Sequence, residues 1–178
     1  MIALLRTSLH RPVGGPAFEP ANPLRLHASY SRDEILAAFD VGSPEKPPSV
    51  REGVKWVEEH GIDLFFITLN KSEKDFSPST MYRDYAISSE LFHWESQSQT
   101  SEASPTGQRY INHQANGSRV ALFVRNAKKD STGRTAPYLC AGLVNYVRHE
   151  GERPMAITWQ LEQALPAEAF MSYRAAVA

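Results

Sequence analysis

The alternation of hydrophobic and polar residues predicts a chain built mainly of strands. Six short segments are rich in β-branched and aromatic residues, as strands are. These segments are Val54–Val57, Leu64–Leu69, Leu91–Glu95, Val120–Val124, Tyr138–Arg148 and Met155–Leu161. In the last segment, Ile157, Trp159 and Leu161 alternate with polar residues, so they share one face of a strand.

Helices are predicted only at the margins of these strands. Ser31 and Glu34 form a capping-box pattern that starts a short helix. Pro166 opens a C-terminal helix over residues 167–177, and residues 108–113 fit either a short helix or a bent strand. We therefore expect an α+β fold, a strongly curved sheet or small barrel of about six strands with short flanking helices.

The chain is predicted to consist of an arm and one domain. Residues 1–23 are rich in proline and glycine and are interpreted as an N-terminal arm, and residues 24–178 as a single domain that includes the C-terminal helix. The apolar residues 1–5 are too short to cross a bilayer, and no other segment reaches the ~20 apolar residues that a spanning helix needs. We expect a cytoplasmic protein without a membrane role.

The charge balance narrows the classes of partner. The formal net charge is −1, whereas proteins that coat nucleic acid without sequence choice are strongly basic. A reader with a small local basic patch remains open. A single cysteine, Cys140, cannot form an internal disulfide framework.

Catalytic and metal-binding motifs are incomplete in this sequence. His93 and Glu95 fit the H-x-E half of a zinc deaminase, but the P-C-x-x-C half is missing. The six histidines do not fall at metal-ligand spacing, and no G-x-S-x-G elbow, Walker loop or G-x-G-x-x-G is present. We expect a domain that is not an enzyme and has neither a cofactor nor a metal.

Residues 81–113 form the most informative stretch of the chain, because they combine many aromatic rings with many hydrogen-bonding side chains. A pocket for a flat polar ligand needs both, because rings stack on its faces while amides, hydroxyls and carboxylates read its edges. Asp84, for example, suits an exocyclic amine such as cytosine N4. The candidate pocket residues are Tyr82, Asp84, Tyr85, His93, Trp94, Glu95, Ser96, Gln97 and Ser98.

A second group of residues is predicted to contact a polyanion. Cations and polar side chains before, within and after the pocket stretch would hold a DNA backbone without choosing a sequence. They are Lys71, Lys74, Arg83, Gln108, Arg109, Tyr110, Lys128, Lys129 and Arg134, and Arg125 joins the last three in a locally basic turn.

Several motifs give the chain a family resemblance. They are LNKSEK, SPSTMYRDYAIS, LFHWESQS, TGQRYINH and PMAITWQLE, which lie within residues 24–165. With them the chain resembles a bacterial domain of unknown function found at the C-terminus of proteins that join a phospholipase-D-type nuclease to a superfamily 2 helicase. Members of that architecture include type IV restriction enzymes, which cut DNA carrying modified cytosine. The resemblance implies an SRA-like, PUA-like pseudo-barrel and DNA as the partner.

The resulting hypothesis is a non-catalytic reader of double-stranded DNA that carries modified cytosine, with 5-methylcytosine as the first choice. A base rotated out of the duplex would stack on Tyr82, Tyr85 and Trp94, while Asp84 and Gln97 read its edge. The reader would serve a nuclease–helicase polypeptide in bacterial restriction. Two alternatives stay open: a hydrolase or nuclease that uses Ser96 with His93 or Asp84 with Glu95, and a helicase-docking module.

Overall fold

The computed structural model describes residues 14–43, 45–50, 53–70 and 84–175. The strands are β1 (Ser29–Tyr30), β2 (Val54–Val57), β3 (Ile62–Asn70), β4 (Tyr85–Ala86), β5 (Leu91–Glu95), β6 (Arg119–Ala127), β7 (Tyr138–Glu150) and β8 (Ala156–Leu161). The helices are α1 (Arg32–Ala38), α2 (Pro105–Ile111) and α3 (Ala167–Ala175), with a 3₁₀ turn at Glu58–His60. No helix in these ranges is long and apolar enough to cross a membrane.

The strands form one mixed sheet. Its order is β2-β3-β6-β7-β8-β5-β4, and β1 pairs with the start of β7. The pairing is antiparallel except between β3 and β6, which run parallel. The α+β class is therefore confirmed, and each of the six predicted strands is present. The two-residue strands β1 and β4 are additional, because nothing in so short a segment shows periodicity.

The sheet curves so strongly that side chains from distant strands are in contact. Phe65 on β3 and Trp94 on β5 are four strands apart, which in a flat sheet means roughly 19 Å. Their ring centroids lie 4.2 Å apart in a stacked arrangement. Register shifts at Leu122/Phe123 and at Tyr146/Arg148 supply local bends. Gly142 lies opposite the first shift at φ +87°, and a Cβ there would lie 2.7 Å from the Leu26 side chain.

Each face of the central strands packs against a different helix. The inner face buries Phe65, Trp94 and Trp159 together with α2 and α3. The outer face of β3 and β6 buries Phe66 and Phe123 against α1. All of β3 except its last residue is buried, as expected for a strand covered on both faces.

The predicted capping box is confirmed. Ser31 accepts the Glu34 amide on its hydroxyl, and the Glu34 carboxylate accepts the Ser31 amide. Of the ambiguous segment 108–113, residues 108–111 form the end of helix α2, which has Ser104 as its N-cap, and residues 112–113 lie in the turn after it. The described part of the predicted arm, residues 14–23, lies on the domain, where Phe18 packs edge-on against Phe39 of the outer core.

Helix α2 depends on a close approach at Gly107. A Cβ at this position would overlap the carbonyl oxygen of Ser101, which belongs to the backbone and cannot rotate away. We expect Gly107→Ala to lower the free energy of unfolding by about 3 kcal/mol, at the upper end of overpacking effects. Urea denaturation measures the change.

Gly15→Ala is the matched control, because nothing lies within 4 Å of a Cβ there. It should change stability by less than about 0.5 kcal/mol. Equal stabilities for the two variants would contradict the close approach at Gly107.

Candidate nucleic-acid interface

Strand β5 separates the predicted base pocket into two groups of residues. Successive side chains on a strand point to opposite faces, so Trp94 points into the inner core, whereas His93 and Glu95 point outward. Phe92 and Trp94, two residues apart on this strand, share the inner face, and both belong to the core. The structure therefore does not bring Trp94 together with the polar residues beside it in the sequence.

Trp94 and Tyr110 are core residues. Trp94 is 5% exposed and Tyr110 is 0% exposed. Trp94 stacks on Phe65, and the Tyr110 ring meets its edge at 5.6 Å. The predictions of Trp94 as an open stacking platform and of Tyr110 as a DNA-backbone contact are wrong, because the curved sheet encloses both rings.

The side chains of Asp84 and Ser96 form hydrogen bonds with backbone groups. Asp84 is buried and accepts the amide of Glu95 on Oδ1. Ser96 is also buried, where its hydroxyl accepts the amide of Met155 and donates to the carbonyl of Gln97. These bonds hold β5 to its neighbours, and the pocket roles of the two residues stay predictions. The same burial argues against Ser96 as a nucleophile, and Gln97 and Ser98 lie half-buried in the turn that follows.

Three predicted pocket residues share the outer face at the sheet edge. Tyr85 on β4 stacks against His93 on β5, with ring centroids 4.7 Å apart and an interplanar angle of 12°. Both rings are half-buried, as is Glu95. Other predicted contacts lie outside the described residues: Tyr82, Arg83, Lys71 and Lys74.

Arg109 is held in a buried ion pair. Its Nε and Nη2 donate to both carboxylate oxygens of Asp63 at 2.8 and 2.9 Å, and its guanidinium lies 4.5 Å from the ring centroid of Trp56. Burial lowers the pKa of Arg109, but the hydrogen bond and charge of Asp63 outweigh it and hold the pKa above its usual range. Two N–H groups of Arg109 are therefore already used within the domain, and its phosphate contact stays a prediction. The neighbouring Gln108 is exposed and donates to the Glu102 carbonyl.

The predicted basic residues after β6 do share one surface. Lys128, Lys129 and Arg134 are exposed on the turn between β6 and β7, and we name them the basic hairpin tip. Asp130 organises this turn by accepting from Thr132 and from the Arg134 amide. Hydrogen bonds, first of all from the Thr132 side chain, lower the pKa of Asp130. Arg109 does not belong to this surface. It pairs with Asp63 near the start of β3, whereas the basic hairpin tip lies beyond the other end of the parallel strands β3 and β6, roughly 23 Å away along a strand of this length.

Sequence reasoning placed Arg125 in this locally basic turn but missed its neighbour Arg32. The guanidinium carbon of Arg125 lies 4.3 Å from the ring centroid of Tyr138, and that of Arg32 lies 5.8 Å from it. Arg125 donates to Thr68 Oγ1 and to the Ala136 carbonyl, while Arg32 donates to the Tyr138 hydroxyl and the Val50 carbonyl. We name Arg32, Arg125 and Tyr138 the two-arginine cluster.

The two-arginine cluster lacks a counter-ion within the described ranges. Neither guanidinium forms an ion pair with a carboxylate there. Both side chains are half-buried. Burial and, to a smaller extent, the charge of Arg32 lower the pKa of Arg125. In the sequence, only Arg125 pointed to this cluster, because it is a cation that directly follows the apolar run Val120–Val124.

A cleft of about 630 Å³ opens on the other face of β6, and we name it the α3 cleft. Its volume is within the range of small-molecule sites. Apolar walls come from Val124, Leu139 and Ala169. The polar lining comprises His27, Ser29, Arg125, Asn126, Lys129, Asp130, Ser131, Glu168, Ser172 and Tyr173.

Comparison with known proteins places this architecture in a family. Residues 24–173 match the family model described as a domain of unknown function, DUF3427. The chain belongs to the DUF3427 family. No curated protein matches the chain. The matched region of this DUF3427 domain includes His27, the two-arginine cluster, the basic hairpin tip and almost all of α3, so both candidate surfaces belong to the family's part of the chain.

The division of β5 predicts opposite outcomes for two aromatic residues of this DUF3427 domain. Trp94→Ala should cost about 3–5 kcal/mol of stability, because it removes a ring at the centre of the inner core. Tyr85→Ala should cost about 1 kcal/mol, because that ring is half-buried at an edge. Thermal and urea denaturation compare the two. A Trp94→Ala variant as stable as the parent would show that the ring is not a core element.

Proposed function

We propose that this domain binds double-stranded DNA and recognises a modified cytosine in it, without catalysing a reaction itself. The resemblance to reader domains of type IV restriction enzymes supports the substrate class. The two-arginine cluster is the observation that carries DNA binding. A nuclease–helicase polypeptide in the bacterial cytoplasm would then act on the DNA that the domain has selected.

Two guanidiniums without a counter-ion favour an anionic ligand. Removing a cation from water costs several kcal/mol unless an opposite charge compensates it. Arg32 and Arg125 receive only hydroxyl, carbonyl and ring contacts from the described residues. A phosphate oxygen would supply the missing charge, and the planar guanidinium fork matches phosphate geometry.

The basic hairpin tip extends the cationic surface. Its three exposed cations follow the strand that carries Arg125, and the acidic residue between them, Asp130, is bonded within its own turn. Duplex DNA carries one negative charge per ~1.7 Å of helix axis, so several phosphates would face a surface of this size. Local clustering thus supports DNA binding although the formal net charge of the chain is −1.

Arg125→Gln tests the cationic surface. Loss of one phosphate contact should weaken binding about tenfold to every duplex and reduce the slope of log affinity against log salt by about 0.9. Arg125→Lys should retain most of the affinity, because the charge stays. Fluorescence anisotropy with a labelled duplex at several salt concentrations measures both effects.

Arg148→Gln is the matched control for Arg125→Gln. Arg148 is an exposed cation, 69% accessible at its side chain, on the distant half of β7. It should stay within about twofold of the parent, since an exposed charge away from the interface contributes little. Equal losses in both variants would indicate a general charge effect and would contradict a specific cationic surface.

Recognition of the modification has its own test. A buried methyl group contributes about 0.8 kcal/mol, so a duplex with one 5-methylcytosine should bind roughly fourfold more tightly than its unmodified copy. Competition titrations with the two duplexes measure the ratio. Equal affinity would remove the 5-methylcytosine reader and leave a DNA-binding domain without that preference.

A further inference from the structure

We infer that the α3 cleft is the place where a single nucleobase is held. This inference rests on the proposed function and gives it a location different from the one that the sequence suggested. Trp94 itself cannot stack on that base, because its ring is already stacked on Phe65 in the core. The α3 cleft instead combines apolar walls with amide, hydroxyl and imidazole groups.

The charges that line the α3 cleft favour an uncharged group over a phosphate. Two lining cations, Arg125 and Lys129, are matched in number by two lining carboxylates, Asp130 and Glu168. Arg125 directs its guanidinium to Tyr138, on the other side of the strand. A nucleobase is neutral and planar, so it fits this lining, whereas the phosphates fit the cationic surface beside it.

His27 provides an imidazole in the lining of the α3 cleft that would form a hydrogen bond with the edge of a base. It lies in the wall with φ +64°, and its Nε2 is buried without a hydrogen-bond partner among the described residues. Burial lowers the pKa of His27, so its imidazole is neutral at pH 7 and offers one donor and one acceptor. An unsatisfied buried nitrogen costs about 1–3 kcal/mol, which favours a conformation in which a ligand edge pairs with it.

The other side of the α3 cleft presents an amide on a rigid element. Asn126 projects from the end of β6, and its Nδ2 donates to Ser172 Oγ on α3 at 2.6 Å. Its carbonyl oxygen is then oriented by that bond. Amide side chains are standard readers of base edges. His27, Asn126 and the apolar wall of Leu139 together frame a slot for a ring with polar edges.

Two other clefts of the domain fit a base on DNA less well. One of about 590 Å³ is lined by Glu19, Glu34 and Asp40, so it repels a polyanion. Another, of about 340 Å³, lies beside Gly117 and Arg119, where β6 begins. The α3 cleft alone among these three adjoins the basic hairpin tip, because Lys129 lines it. Phosphates on the tip would therefore bring a rotated nucleotide directly to this opening.

The test fills the α3 cleft without disturbing the core. Ser172 is exposed on α3 and lines the cleft, so Ser172→Trp places a ring inside it. The neighbouring Met171 is 59% exposed and is not part of the lining, so Met171→Trp is the matched control. A second variant, His27→Asn, removes the imidazole but keeps a residue that tolerates positive φ.

Each protein is titrated with a labelled duplex containing one 5-methylcytosine and with its unmodified copy, and melting temperatures confirm folding. Ser172→Trp and His27→Asn should reduce the roughly fourfold preference of the parent for the modified duplex to about one. Met171→Trp should keep the preference.

The outcomes separate the two proposals. If the parent prefers the modified duplex and folded Ser172→Trp retains that preference in full, the α3 cleft inference is overturned while the proposed function stands. If the parent binds DNA without preference, or binds none, the proposed function fails first and the inference fails with it.

Discussion

The contact between Phe65 and Trp94 is the constraint on which the rest of this structure depends. It joins β3 to β5 across the hollow of a sheet in which three other strands lie between them. A sheet bent this far encloses one apolar core and leaves its outer face to α1. The end of β6 consequently has a different environment on each side, with Arg125 facing Tyr138 and Asn126 facing α3. One step along the chain thus separates a cationic surface from a neutral cleft.

Much of the fold was predictable because its signals are local. The Ser31 capping box, the apolar run of β3 and the alternation of β8 are each contained within a few residues, and each appears as predicted. Position in the sheet was not predictable in this way, since β3 lies parallel to β6, more than 50 residues later. Pairing at such a distance depends on tertiary contacts that no short window contains.

The candidate site was harder to predict than the fold, because the residues that line the α3 cleft are distant in sequence, whereas the aromatic and polar residues around Trp94 are adjacent. Trp94 seemed accessible since polar residues surround it, yet on a strand those neighbours belong to the other face. His27, Asn126 and Ser172 meet around one cleft although about a hundred residues separate the first two. A sequence window predicts a pocket from the adjacent aromatic and polar residues around Trp94. It cannot detect residues that meet around the α3 cleft from distant parts of the chain.

Arginines at the two ends of the domain differ in whether a carboxylate compensates their charge. Near the start of β3, Arg109 is paired with Asp63 and Arg119 with Glu19, so the charge of each is already compensated. At the end of β6, Arg125 and Arg32 have rings, hydroxyls and carbonyls around them and no ion-paired carboxylate among the described residues. A net charge of −1 averages over both ends. Salt screens charges that lie more than about one Debye length apart, roughly 8–10 Å. In the proposed function, DNA would therefore respond to the local charge of Arg32 and Arg125 at the end of β6 and not to the net charge of the whole chain.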